Sequence, residues 1–125
     1  MKKEHFEYIK SIEQDPPPSN DKKCHKKNIT SIIVLYPEDM AEPSRQQSFV
    51  KGTKEYRNHI KFVSGSQDGT VKVWGGPSLT WEQTIEVSCK PKEYMVLAIA
   101  FMKHSKRLVA ASADRKISFY EVTNG

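Results

Sequence analysis

The sequence predicts an all-β fold built from two copies of one unit. Residues 62–74 and 108–120 superpose without a gap at an offset of 46 positions, and every strand-like position keeps its character. Both copies consist of two β-branched or aromatic runs joined by a turn, which is centred on Asp68 in one copy and on Asp114 in the other. Such a succession of run, turn and run is typical of a β-hairpin.

The two turns differ at the position that follows the aspartate. Gly69 follows Asp68 and can adopt a positive φ without a steric penalty. Arg115 follows Asp114 at the equivalent position, which predicts either a turn of a different type or a more strained one.

Further strands complete each unit. Continuous apolar runs at 29–36 and 95–102 precede the two hairpins and are typical of strands that are buried on both faces. Residues 81–87 follow the first hairpin and alternate polar with apolar side chains, as expected of an exposed outer strand. Apolar inner strands and a more polar fourth strand fit a radial arrangement of four-stranded blades.

The N-terminal segment, residues 1–23, admits several interpretations. Residues 8–13 have the pattern of an outer strand, and the alternative is an amphipathic helix whose apolar side is formed by Phe6, Ile9 and Ile12. Residues 15–23 are polar and rich in proline, which is typical of a stiff linker, and a PxxP ligand is the alternative there.

Two stretches of the chain resemble the WD-repeat family of β-propellers. Residues 62–74 resemble the family's strand b, turn and strand c, and they end in the tryptophan that is typical of it. Residues 24–32 resemble the stretch that leads from a Gly-His pair into strand a, with Cys24 in place of the glycine. The resemblance covers residues 24–122 and implies an incomplete propeller, an all-β WD-repeat segment of about two four-stranded blades.

The resemblance also implies a hydrogen-bonded structural chain in the first repeat, formed by His25, Ser66, Asp68 and Trp74. A buried carboxylate requires hydrogen-bond donors, and imidazole, hydroxyl and indole groups can supply them. The second repeat retains the equivalent positions Ser112, Asp114 and Tyr120, while Lys92 stands roughly where the histidine would be.

The repeats set the domain boundaries. We expect the first repeat at 24–87 and the second at 88–125, where the outer strand is lacking. Two blades leave apolar inner strands without neighbours on both flanks. The remaining blades would then come from a longer parent chain, of which this sequence is a fragment, or from another subunit.

An insert at about 38–58 separates strands a and b of the first repeat, whereas residues 103–106 suffice at this junction in the second. As a functional feature, the insert would dock a protein partner through Arg45, Phe49 and Tyr56. The alternative is a tolerated surface loop, since added loop length costs little entropy.

Composition excludes several classes of protein. Hydrophobic residues make up 37% of the 125 residues, no apolar run reaches the roughly 20 residues of a membrane span, and no secretory signal is recognisable. Cys24 and Cys89 are too few for a disulfide framework, and the four histidines lack metal-ligand spacing. We therefore expect no metal, no cofactor and an intracellular location, in the cytoplasm, on the cytoskeleton or in a cilium, and no secretion.

The residues also bear on function. The net charge of +5 is spread along the chain, whereas a nucleic-acid footprint requires clustered charge. No catalytic constellation is recognisable in the sequence. The resemblance implies a non-catalytic scaffold that binds protein partners and has no small-molecule substrate. An RNA- or chromatin-associated propeller and a ciliary or flagellar cytoskeletal protein are the alternatives, because fold alone does not select a function.

Overall fold

The structure, a computed structural model, describes residues 6–8, 10, 11, 24–40, 50–89 and 91–122. The elements in these ranges are, in chain order, β1 (Ile29–Leu35), α1 (Pro37–Met40), α2 (Lys54–Asn58), β2 (Lys61–Ser66), β3 (Thr70–Gly75), β4 (Thr80–Glu86), β5 (Val96–Met102), β6 (Arg107–Ser112) and β7 (Lys116–Glu121). The predicted all-β fold class is confirmed.

The strands form two antiparallel sheets, one for each repeat. The first sheet has the order β1-β2-β3-β4 and the second has the order β5-β6-β7. The hairpin predicted at 62–74 is formed by β2 and β3, and the hairpin predicted at 108–120 is formed by β6 and β7. Each sheet therefore adds its strands in sequence order, as expected of a propeller blade.

The two sheets share an irregularity as well as a topology. The register of β1 against β2 shifts between Ile29 and Ser31, and the register of β5 against β6 shifts between Val96 and Ala98. The shift lies at the start of the first strand in both sheets, so the sequence repeat is also a repeat in backbone detail.

The Asp-centred turns place the same position in the left-handed region, because φ is 82° at Gly69 and 69° at Arg115. Of the two outcomes expected for the second turn, the structure shows the strained one. A residue with a Cβ pays about 1–2 kcal/mol for this conformation. At Gly69 a Cβ would also lie 2.5 Å from the backbone oxygen of Ser88, so the first turn needs glycine for space as well.

The core lies between the two sheets. Its buried apolar side chains are Leu35, Val63, Val71, Val87, Val96, Ile99, Leu108 and Ala110. Gly65 lets the sheets approach closely, because a Cβ at this position would lie 2.9 Å from Cγ1 of Val96. A polar contact accompanies the apolar packing, since Thr30 Oγ1 donates to the carbonyl oxygen of Val96 at 2.6 Å.

The N-terminal residues that the structure describes, 6–8, 10 and 11, belong to no strand and no helix. Lys10 Nζ donates to the carbonyl oxygen of Ser78 at 2.9 Å, which places this segment beside the turn between β3 and β4. The other positions of the strand expected at 8–13, and the linker expected at 15–23, lie outside the described residues. Within the described ranges, no helix has the length and apolar character needed to cross a bilayer.

Candidate functional site

A cluster of buried polar side chains surrounds the turn between β2 and β3. Asp68 lies in this turn and is 3% exposed. One carboxylate oxygen accepts hydrogen bonds from Thr70 N at 2.9 Å and Thr70 Oγ1 at 2.5 Å. The other oxygen accepts from Lys26 N at 2.9 Å and from His25 Nδ1 at 3.1 Å. The carboxylate therefore joins the turn to the segment that precedes β1.

These donors keep Asp68 ionised. Burial raises the pKa of its carboxyl group, but the hydrogen bonds from His25, Thr70 and the Lys26 amide lower the pKa by more, and the result lies well below the usual range. A proton on this carboxylate would remove an acceptor from one of its donors. The negative charge of Asp68 therefore stabilises the folded state.

His25 connects Asp68 to the interior of the sheet. Its Nε2 lies 2.7 Å from Ser64 Oγ, and Trp74 Nε1 donates to the same oxygen at 2.9 Å. An indole N–H only donates and an ionised carboxylate only accepts, which assigns the direction at both ends of the network. Trp74 donates to Ser64, and Nδ1 of His25 donates to Asp68. The hydrogen bond between Ser64 Oγ and Nε2 of His25 joins these two ends.

The bridging hydroxyl belongs to Ser64, which corrects the prediction that Ser66 occupies this place between His25 and Trp74. Residues two apart in a strand point to the same side, so the sequence pattern alone does not separate the two serines. The sheet register separates them. Phe62 pairs directly with Trp74, Ser64 is the next residue on that face, and Ser66 lies one pair further away.

Ser66 forms a second link between the same two segments. Its Oγ is shared between the carbonyl oxygens of Asn28, at 2.9 Å, and Lys27, at 3.2 Å. The same oxygen accepts the backbone N–H of Asp68 at 3.1 Å. Ser66 thus holds the turn against the chain that leads into β1, beside the link made by His25.

The second repeat replaces the middle of this network. Ala110 occupies the position of Ser64, and Tyr120 occupies the position of Trp74, so the bridging hydroxyl and the indole are both missing. Ala110 is fully buried in the core, and Tyr120 is partly buried and packs against it. Apolar packing here takes the place of the hydrogen-bonded chain.

The carboxylate of Asp114 is held by hydroxyl groups. It accepts hydrogen bonds from Ser112 Oγ and Ser88 Oγ, both at 2.6 Å, and Lys116 Nζ lies at 3.3 Å. The bond from Ser112, followed by that from Ser88, lowers the pKa of Asp114 to about 2. Lys92 is exposed. Sequence reasoning missed Ser88, which lies between β4 and β5 and, like His25 in the first repeat, donates a hydrogen bond to the aspartate of the turn.

Tyr56 anchors the insert between β1 and β2. This residue of α2 is 8% exposed, and its Oη donates to Glu38 Oε1 at 2.6 Å. The hydrogen bond lowers the pKa of Glu38, and the carboxylate raises the pKa of Tyr56 to about 12. Tyr56 therefore attaches α2 to α1, and its hydroxyl is occupied by an internal contact. Arg45 and Phe49, the other two predicted docking residues, lie outside the described residues.

Lys106 attaches the insert to the second repeat. It lies in the turn between β5 and β6, and its Nζ donates to the carbonyl oxygens of Glu38 and Asp39, both at 3.0 Å. These carbonyls belong to α1, which is too short to satisfy them within the helix. The side chain of Asp39 accepts the backbone N–H of Tyr36 at 3.0 Å. Both repeats therefore fix the described ends of the insert.

The buried network leaves its hydroxyl group inaccessible. Ser64, His25 and Asp68 follow the order hydroxyl, imidazole, carboxylate, but Ser64 is 1% exposed and its oxygen already accepts the indole N–H of Trp74. Within the described ranges, no group of three or more His, Cys, Asp or Glu residues is placed to hold a metal ion. The geometry of this network serves to join strands and turns.

A family model matches both repeats. The model described as "WD domain, G-beta repeat" matches residues 46–75 and 83–121, which together exceed half of the chain. The two ranges include both Asp-centred hairpins, while His25 lies before the first of them. No curated protein matches the chain.

Proposed function

Since the chain belongs to the WD-repeat family, we propose that it is a non-catalytic scaffold that binds protein partners. The observation that carries this proposal is the attachment of the insert to both repeats. We call its described residues, 36–40 and 50–60, the insert platform. Tyr56 holds the platform together, and Lys106 joins it to the second sheet. A surface that is already ordered loses less conformational entropy when a partner binds.

The exposed residues of the insert platform include two large hydrophobic side chains, Tyr36 and Val50, and several charged groups. Val50 is 66% exposed, and its exposed neighbours are Lys51, Lys54, Glu55 and Arg57. Apolar contact at the centre with charged groups around it is the usual composition of a transient interface. We therefore propose a protein partner that offers an apolar contact with acidic groups beside it.

Two further observations support the proposal. The hydroxyl of Ser64 is closed off by Trp74, which favours a structural role for the buried network over a catalytic one. Cys24 and Cys89 are free thiols, which supports an intracellular location.

Site-specific photocrosslinking of the full chain in cells tests the proposal. One variant carries a photoreactive amino acid in place of Val50, and the matched control carries it in place of Gln83, an exposed residue of the outer strand β4. We expect a protein adduct from position 50 and none from position 83. Equal adducts from both positions would contradict a partner site on the platform.

Charge reversal then tests the nature of the partner. Lys54→Glu together with Arg57→Glu should reduce the adduct about tenfold, which is the expected effect of losing charge complementarity around an interface. Lys103→Glu, in the short turn of the second repeat, is the control and should leave the adduct unchanged. An adduct that disappears after nuclease treatment, with binding that weakens steeply as salt rises, would instead support nucleic acid as the partner.

A further inference from the structure

Each sheet buries one face against the other sheet, and among the described residues no second sheet covers its opposite face. In the first sheet this uncovered face, called the front face here, holds Ile29, Ile32, Val34, Phe62 and Trp74. The three side chains from β1 are exposed, whereas Phe62 is partly buried and Trp74 is 4% exposed. The uncovered face of the second sheet, called the rear face, presents Ala98, Ala100, Val109, Ile117 and Phe119. The alternation of side chains along each strand assigns these residues to one face.

Through the sequence repeat, each of these two faces corresponds to the face of the other sheet that is buried in the interface between the sheets. Ile32 and Ile99 occupy the same position of the repeat, and they are 60% and 9% exposed. Ile117 and Val71 also occupy one position, and they are 66% and 0% exposed. At these two positions of the repeat, the side chain is buried where the other sheet covers it and exposed where no sheet does.

We propose that a second copy of this chain covers the front face with its own rear face. Within one chain, Val71 of the first sheet packs in the same core as Ile99 and Leu108 of the second. Between copies, Ile117 and Phe119 would take the place of Val71 and its neighbour Val73. The receiving surface exists, because the front face contains an open groove of about 270 Å³ that is lined by Lys10, Ile29, Ile32, Phe62, Ser64, Trp74 and Leu79.

The rear face can approach a neighbour much as the first sheet approaches the second. The first sheet uses Gly65 at this contact, where a Cβ would lie 2.7 Å from Ser31 Oγ. The second sheet has Ala111 at the position of Gly65 and Ala98 at the position of Ser31. Because the serine oxygen is absent, the methyl group of Ala111 has space within its own sheet.

The contact between copies is more apolar than the contact within one chain. Thr30 donates a hydrogen bond to the carbonyl oxygen of Val96 across the internal interface. Leu97 lies at the corresponding register shift of the second sheet and is 52% exposed. The leucine contributes apolar area in place of a hydrogen bond, so burial of nonpolar surface drives this association.

Front and rear are different surfaces, so the contact is head to tail. Each copy that docks through one face keeps the other face available. Such heterologous contacts continue until a ring closes, or they form an open chain. The proposal therefore predicts association that increases with protein concentration and passes beyond a dimer.

Sedimentation velocity of the full chain tests the proposal with a pair of complementary variants. Ile32→Asp disables the front face and Ile117→Asp disables the rear face, and each change should weaken self-association about tenfold or more. A mixture of the two variants should form a one-to-one dimer, because the intact rear face of the first fits the intact front face of the second. Val50→Asp is the matched control, since Val50 is also 66% exposed but lies on the insert platform.

The outcomes separate the alternatives. An unaltered chain that stays monomeric at on the order of 100 µM would overturn the proposal, and the two faces would then be left to further repeats of the same polypeptide. Loss of association in Ile32→Asp alone would overturn it in favour of a symmetric front-to-front dimer. Equal loss in Val50→Asp would overturn it in favour of self-association through the insert platform. Circular dichroism checks that each variant is folded, and Phe119→Asp provides a second rear-face variant.

Discussion

Ser64→Ala should destabilise the protein by more than the loss of one small group suggests. The hydroxyl of Ser64 lies between Trp74 and His25, which are 4% and 2% exposed. When it is removed, the indole N–H loses its acceptor and Nε2 of His25 loses its hydrogen-bond partner. Each buried polar group deprived of a partner costs about 1–3 kcal/mol. We therefore expect the free energy of unfolding to fall by about 2–4 kcal/mol.

Ser31 on the neighbouring strand β1 offers a matched control. Its Oγ is buried and has no hydrogen-bond partner within the described part of the chain. Ser31→Ala therefore removes a hydroxyl that is already unsatisfied, and we expect the free energy of unfolding to rise or to change by less than about 0.5 kcal/mol. The second repeat has Ala98 at this position. The same chemical change thus has two different expected effects.

Urea unfolding, monitored by far-ultraviolet circular dichroism, measures the free energy of unfolding of both variants. This signal does not depend on the fluorescence of Trp74, whose surroundings change in Ser64→Ala. A Trp74→Phe variant removes the donor of the same chain. Its cost should not add to that of Ser64→Ala, because the two changes break one shared hydrogen bond. If Ser64→Ala costs no more than Ser31→Ala, the assigned hydrogen-bonded chain does not stabilise the first sheet.

Two further predictions concern the turn between β2 and β3. Because the pKa of Asp68 is lower in the folded state, its stabilising contribution is full above about pH 5, begins to fall as the pH drops below roughly 4, and is lost only near the folded-state pKa, well below the usual range. Thermal unfolding measured at pH 7 and at lower pH should show this loss of stability. The loss should be smaller in Asp68→Asn, and an acid dependence identical to that of the unaltered chain would refute the role assigned to Asp68. Gly69→Ala should lower the melting temperature more than Gly76→Ala does. Both glycines have a positive φ, but only at Gly69 would the added Cβ collide with the backbone oxygen of Ser88. Equal losses of melting temperature would contradict this.

The hairpins could be predicted because their signals are local. Alternation along 62–74 and a turn residue at Asp68 belong to one short stretch, and the second copy repeats the pattern. The choice between Ser64 and Ser66 could not be predicted in this way, because both lie on the same face of one strand. The choice depends on which residue pairs with Trp74, and that register exists only in the assembled sheet.

The insert could be predicted as a long connection, but its internal contacts could not. Tyr56 has the properties of a docking residue in the sequence, since it is an aromatic side chain within an insert. In the structure its hydroxyl donates to Glu38, which lies 18 residues earlier, at the other described end of the insert. Lys106, which completes this arrangement, comes from the other repeat. Contacts between such distant positions depend on tertiary structure and leave no local sequence signal.

The difference between the two repeats follows from what lies against each sheet. In the second sheet, the face that contains Ala110 is covered by the first sheet, so a methyl group in the core suffices there. In the first sheet, the equivalent face is the front face, where Ser64 lies buried at the base of the groove and the ring of Trp74 stacks on the ring of Phe62, with centroids 5.9 Å apart. A face without apolar cover from another sheet needs its own means of holding its strands in place. The hydrogen-bonded chain that ends at Asp68 provides this support, so the buried network also keeps the front face ready to receive a neighbouring sheet.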